Sequence, residues 1–170
     1  MAISLKSKTG ITAGLFVDAS LGNDMSFQPA LNFVQKGTKL EQDDVKDIVT
    51  YNYLEVPLNF VYRTQKEQGF FIGAGPSVAF GLSGKEKYSD FQNSADSKVK
   101  FGSGDDEVKS IEFGVNALAG YKFGNGFLFS ANYNLGLSNI QNGSSDEMGT
   151  VKNRYFAFKI GYSFNNRKNK

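Results

Sequence analysis

The feature that most restricts the fold is a period-two alternation that recurs in seven stretches and leaves few helical i, i+3, i+4 stripes. In "YNYLEVPLNFVYR", Leu54, Val56, Leu58, Phe60 and Tyr62 share one face, and Tyr53, Glu55, Pro57, Asn59, Val61 and Arg63 share the other. Successive side chains of a strand point to opposite faces, so each stretch reads as a β-strand with one apolar and one mixed face. The same pattern predicts strands from about Gly10 to Leu21, from about Met25 to Leu40, through "GFFIGAGPSVAFGLSG", from Ile111 to Phe123, in the segment after the turn "GNG", and in "YFAFKIGYSF".

Alternation alone does not say which face is inside. A soluble lipocalin-like barrel, apolar within and binding a small apolar ligand, competes with a membrane barrel built the other way round. The polar face decides between them. A water-facing surface is rich in Lys, Glu and Asp. This face is mostly Gly, Ser, Asn and Ala, with charges at Asp18, Lys36, Glu55, Arg63, Glu112, Lys122 and Lys159. That composition suits a narrow interior filled by small groups and pairable charges.

Apart from Lys39 at the far end of the second, no charged residue falls on the apolar face of the seven strands. The aromatics Phe27, Tyr62, Phe70, Tyr121, Phe123, Phe127, Tyr162 and Phe164 lie near strand ends, many beside short turns, as a girdle at a membrane interface requires. Cross-strand aromatic pairing is the ordinary alternative.

Connections alternate in length. "GND", "TQKEQG" and "GNG" are short, whereas "EQDDVKD", "YSDFQNSADSKVKFGSGDDEVK" and "QNGSSDEMGTVK" are longer and polar. Short turns at one end and long loops at the other are the pattern of an outer-membrane meander. The expected architecture is therefore all-β: an up-and-down antiparallel transmembrane β-barrel, one domain over 1–170 with a basic tail at 165–170. Because bacterial barrels close with an even strand number, seven visible strands imply another before the first. Residues 1–8 are then either a remnant of that strand, or the chain begins after it. Pro57 removes a ladder donor, which predicts a bulge or a missing bond at that point.

Composition narrows the chemistry. With no histidine and no cysteine, the chain has no Ser-His-Asp arrangement, no thiolate zinc site and no disulfide framework. No apolar run approaches the roughly 18 to 20 residues of a spanning helix, and "MAISLKSKTG" carries no apolar signal core. A net charge of +2 gives no case for nucleic acid.

The ordered segments "SFQPALNFVQKGTK", "YLEVPLNFVYR", "GFFIGAGPSVAFGLSGK", "AGYKFGNGFLFSANYNLGLSNI" and "RYFAFKIGYSF" resemble the outer-membrane β-barrel domain family common in Bacteroidota. The resemblance covers Gly10 to Phe164. It implies an eight-stranded barrel in the outer membrane, exported with a signal that is removed, and it implies no single activity; some relatives are accessory components of type IX secretion. "NNRKNK" follows Phe164 where many members end on the aromatic residue.

An eight-stranded barrel is just wide enough for its own side chains. Glu55, Arg63, Glu112, Lys122, Lys36 and Lys159 are accordingly expected to point inward as a structural, salt-bridged network. No catalytic, cofactor or metal residue is assigned. Asp43, Asp44 and Asp47, and likewise Asp105, Asp106 and Glu107, lack the spacing of a calcium loop. "GAGPSVAFGLSG" lacks the GK[ST] ending of a phosphate loop. The expected function is a small non-enzymatic barrel without an open pore, in contact with outer-membrane lipid, and displaying the loop Tyr88 to Ser110 to a protein partner.

Overall fold

The structure, a computed structural model, describes residues 4–22, 24–42, 45–65, 67–90, 92–104, 107–141 and 151–164. Every regular element in it is a strand. Three runs, β1 (Ser4–Ser7), β2 (Thr12–Phe16) and β3 (Ala19–Ser20), all pair antiparallel with β4 (Met25–Gln42) and form one descending strand. β5 (Val45–Arg63), β6 (Gly69–Ser89), β10 (Ile111–Lys122), β11 (Phe127–Gly136) and β12 (Arg154–Tyr162) follow in antiparallel order. β7 (Ser94–Val99) continues β10's place along the upper half of β6, and β8 (Phe101–Gly102) pairs with β9 (Val108–Lys109) apart from the main sheet. The result is a curled antiparallel meander of seven strand positions.

The faces divide as the alternation predicts. Thirty large apolar side chains lie exposed among the described residues, against five buried, so the apolar face is the outside. Water could not tolerate a surface of this kind, and the soluble barrel with an apolar interior is excluded by it. Around the short-turn end, aromatic rings touch in series: Phe70 with Tyr121 at 4.9 Å, Tyr121 with Phe123 at 4.9 Å, Phe127 with Tyr162 at 5.2 Å and Tyr162 with Phe164 at 5.0 Å between centroids. The tight turn between β10 and β11 rests on Gly126, whose φ of 92° lies in the left-handed region that glycine adopts without strain.

Two expectations need correction. Ser4–Ser7 is no remnant of an earlier strand. It is the upper end of the first strand, opposite Thr38–Glu41 of β4. Between Ser7↔Thr38 and Thr12↔Val34 the first strand uses one more residue than β4, a bulge at the Lys8–Ile11 step that breaks the alternation there.

The "long loops" are also shorter than their polarity suggests. "EQDDVKD" is a hairpin whose strands reach Gln42 and Val45, and much of Tyr88 to Ser110 is strand. About 9 to 11 tilted residues span a membrane, which β10, β11 and β12 match with 12, 10 and 9. β4, β5 and β6 run for 18, 19 and 21 residues from the same short-turn end. Their excess of roughly ten residues rises about 20 Å beyond the apolar belt. β1, β4, β5, β6 and β7 thus continue as a polar, water-facing sheet.

The prolines act through the ladder. Pro29 accepts from Val17 N at 3.0 Å but has no N–H to return, and the first strand is interrupted there between β2 and β3. Pairing of β4 with β5 skips from Pro29↔Leu58 to Asn32↔Glu55, leaving Pro57 out without changing register. The missing bond is therefore at Pro57, and the register shift lies earlier, at Asn52/Tyr53.

Candidate functional site

Alternation on four separate strands sends Lys36, Glu55, Glu112 and Tyr155 into the curl, and the curvature brings them together. Glu55 and Glu112 are 1% and 2% exposed. Lys36 Nζ donates to Glu112 Oε1 at 3.1 Å and stands 3.9 Å from Glu55 Oε2. It also lies 4.8 Å above the Tyr53 ring and 5.2 Å from that of Tyr155, where the negative faces of the rings favour a cation. Tyr155 Oη donates to Glu55 Oε1 at 2.6 Å, and Asn153 Nδ2 donates to Glu112 Oε2 at 2.8 Å. One ammonium therefore bridges two carboxylates, each of which also has a neutral donor. In a low-dielectric interior such pairing is the condition for burying charge, and Glu55 Oε2, 3.9 Å from the ammonium, has no hydrogen bond among the described residues.

Below this cluster, Asn134 Nδ2 donates to Ser77 Oγ at 3.0 Å and to Asn116 Oδ1 at 2.6 Å. Nearer the short turns, Arg63 pairs with Asp18. Lys122 is buried in the same region, and Lys159 is half-buried on β12, with Ser130 of β11 opposite it. Small residues make room for the few large ones. A Cβ on Gly120 would lie 2.4 Å from Phe71 Cζ and 2.2 Å from Phe129 O, so the inward Phe71 ring occupies the space glycine leaves.

The upper mouth is covered by the segment around β8 and β9. Phe101 packs edge-on against Tyr51 at 6.1 Å and Tyr53 at 5.6 Å, and its ring sits over Gly81. The amide of Lys109 donates to the carbonyl of Ile140 at 2.8 Å, and Ile140 is buried beneath. Aromatic cover above and a paired charge cluster below fill the upper half of the interior.

The structure thus brings Lys36, Glu55 and Glu112 into one cluster, places Arg63 with Asp18 in a second, and leaves Lys159 outside both sets of hydrogen bonds but within electrostatic reach of Glu55. Sequence reasoning had not included Tyr53, Tyr155, Asn153 and Asn134 in the network. Parity could have found the first two, since Tyr53 shares a face with Glu55, and Tyr155 with Lys159. Asn153 lies before the start of β12, where alternation gives no guidance. Of the acidic loop residues, Asp43, Asp44, Asp105 and Asp106 lie outside the described residues. Glu107 accepts from Gly104 N at 2.9 Å within its own turn.

Comparison with known proteins gives one match. Residues 2–142 match the family model described as outer membrane protein beta-barrel domain. No curated protein and no solved structure matches. The chain belongs to the outer membrane protein β-barrel domain family, and its place is the bacterial outer membrane.

Proposed function

From membership of that family as premise, we propose that the protein is a small, non-enzymatic barrel that does not conduct and that offers the sheet above the membrane to a protein partner. The observation that carries this reading is the contrast between the two ends of the long strands. Inside the apolar belt, Lys36, Glu55, Glu112 and the two tyrosines fill the lumen at hydrogen-bonding distances. Beyond the belt, β4–β7 continue as a stiff polar sheet, which a barrel needing only to span the bilayer would not require.

Rigid presentation of a surface reduces the ordering cost of association, because less chain is immobilised on binding. The strand β7, exposed from Ser94 to Lys98, is one margin of this sheet and pairs only with β6 among the described residues, which leaves its other edge to a partner strand.

Reconstitution into planar bilayers tests the closed lumen. The expected record has no steady unitary conductance, and a stable open level at moderate voltage would refute the plugged interior. Crosslinking in native outer membranes from a single photoreactive residue in β7 tests the docking surface. A discrete protein adduct is expected from β7 and not from a lipid-facing position such as Val115. Equal labelling at both positions would refute a specific surface.

A further inference from the structure

The lipid-facing side of the long strands changes character in discrete rows. The last continuous apolar row, Phe33, Leu54, Phe80 and Ile111, crosses β4, β5, β6 and β10 in register. Directly above it on the same face stand Gln35, Asn52 and Ser83. Gln35 Nε2 donates to Asn52 Oδ1 at 3.1 Å, and Asn52 Nδ2 donates to Ser83 Oγ at 2.9 Å. A row of amides and a hydroxyl marks the level at which hydrocarbon ends, because polar groups are costly to bury in it.

The next two rows are cationic. In the lower one, Lys85 of β6 stands between Thr50 of β5 and Lys98 of β7. In the upper one, Lys87 stands between Ile48 and Asp96, with Lys39 of β4 on the far side of Ile48. Lys8 joins them from the first strand: a Cβ on Gly37 would lie 3.1 Å from Lys8 Cδ, and Lys8 Nζ donates to Thr50 Oγ1 at 2.6 Å. Against these lysines the two rows hold one acid, Asp96, which is 3.8 Å from Lys87. One step higher, Glu41 opposite Lys46 ends the band.

The other face at this level has the opposite sign. Val49, Glu86 and Ser97, and above them Asp47, Tyr88 and Ala95, present two acids and no cation. A sheet that only had to stay in solution would intersperse both signs. Sorting by face means that the two faces meet different surroundings. Lys85 and Lys98, both exposed, lie directly across the ladder from each other, an arrangement of like charges that destabilises a sheet unless an anion joins them.

Depth identifies the anion. Rows two residues apart rise about 7 Å along a strand, so with a tilt of about 40° the lysine rows stand about 10 and about 15 Å above the last apolar row. This is the outer edge of the headgroup layer, and lysine stems bend back toward it along the sheet. The opposite rim of the belt bears the aromatic series Phe70, Tyr121 and Phe123 instead. The two rims are therefore suited to different leaflets.

We propose that the outer face of β4–β7 just above the apolar belt docks the phosphate groups of outer-leaflet lipid headgroups, with Lys85 and Lys98 sharing one phosphate and Lys8 and Lys39 flanking it. The surface continues the lipid-facing belt and uses the face of β7, not its edge, so it is independent of strand pairing by a protein partner. It rests on the membrane barrel alone.

The test titrates fluorescent lipid A carrying both phosphates, in neutral detergent micelles, with the folded 170-residue protein, beside the same lipid with both phosphates removed, and reads binding by anisotropy. A lysine near an anionic headgroup surface contributes about fivefold in affinity. The phosphorylated lipid should bind at least tenfold more tightly, with the gap narrowing as salt rises. Lys85→Gln with Lys98→Gln should remove most of the preference, the corresponding pair of Arg substitutions should keep it, and Lys46→Gln, above the band, should change it less than twofold.

Equal binding of the two lipids, an unaltered preference in the Gln pair, or an equal loss from Lys46→Gln would each overturn the docking face. Loss of the preference in excess inorganic phosphate would assign the lysines to the free ion and overturn the lipid as occupant. Heat-modifiable migration checks each variant for folding. If the Gln pair does not fold, Lys85→Gln alone replaces it, with a loss of about fivefold expected and no loss counting against the proposal. A chain that does not fold into micelles at all fails the membrane reading, whereas a folded chain indifferent to phosphate fails only this one.

Discussion

Replacing Lys36 with Met is the sharpest test of the buried cluster, because methionine keeps most of the side-chain length and removes only the charge. In the native protein the ammonium is 3.1 Å from Glu112 and 3.9 Å from Glu55. At an effective dielectric near 20 these separations correspond to about 5 and about 4 kcal/mol of Coulomb attraction, most of it offset by the desolvation of three charges. What the substitution exposes is the offset itself. Two carboxylates at 1% and 2% exposure would remain with no cation between them. Breaking a buried pair in this way costs about 3 to 5 kcal/mol, a large part of the stability of a small domain.

Reversible urea unfolding in micelles or vesicles should show that loss for Lys36→Met. The double substitution Lys36→Met with Glu112→Gln should recover at least half of it, since one stranded charge is then gone. A loss below about 1 kcal/mol for the single change would refute the reasoning. So would a double variant no better than the single one, because additivity would mean that the two residues do not interact.

Three further outcomes follow from other parts of the fold. Val115→Arg places a cation near the middle of the apolar belt and should destabilise the protein in a bilayer by about 2 to 4 kcal/mol; a neutral result in vesicle unfolding would count against lipid contact at that face. Phe101→Ala removes two edge-on ring contacts of about 0.5 to 1.5 kcal/mol each, so a loss of about 2 kcal/mol is expected without conductance, since the Lys36 cluster still fills the lumen below. A steady conductance in that variant would show that the mouth, and not the cluster, closes the barrel.

Above the membrane, the amides of Gln92 and Asn93 donate to Asp90 Oδ1 at 2.9 and 2.7 Å, and these bonds, that of Gln92 first, hold its carboxyl below the usual carboxylate range. A folded value below the unfolded one means that the bonds stabilise the β6–β7 turn above the unfolded value of about 3.9 and are lost as pH falls through the folded one. Amide exchange in this turn, corrected for intrinsic rates, should show protection disappearing only under acid conditions, and Asp90→Ala should remove that dependence. An unchanged pH profile in the variant would exclude Asp90 as its source.

The sequence showed faces more clearly than lengths, and the reason lies in what each face meets. Where a strand separates lipid from lumen, its two sides see different surroundings, and alternation records the difference. Thus Leu54 to Tyr62 and their neighbours could be assigned correctly from parity. Above the belt both sides meet water, so "SADSKV" and the start of β5 have no contrast to record and read as loop. The network was visible as a set of inward charges but not as a wiring. Lys36 and Glu112 are 76 residues apart, and only curvature and register put them 3.1 Å from one another.

Curvature also explains why a stretch as apolar as Leu54 to Tyr62 tolerates Glu55 beside it. The convex side of the curl has room for Leu58 and Phe60 to spread into lipid. The concave side holds one carboxylate close to a tyrosine hydroxyl and an ammonium supplied by other strands. Proline obeys the same geometry, since the ladder between β4 and β5 skips two register positions at Val56 and Pro57 while Pro57 keeps its partner Ser77 on β6. The sheet bears such a gap because the pairs on either side of it, Pro29↔Leu58 and Asn32↔Glu55, hold the register.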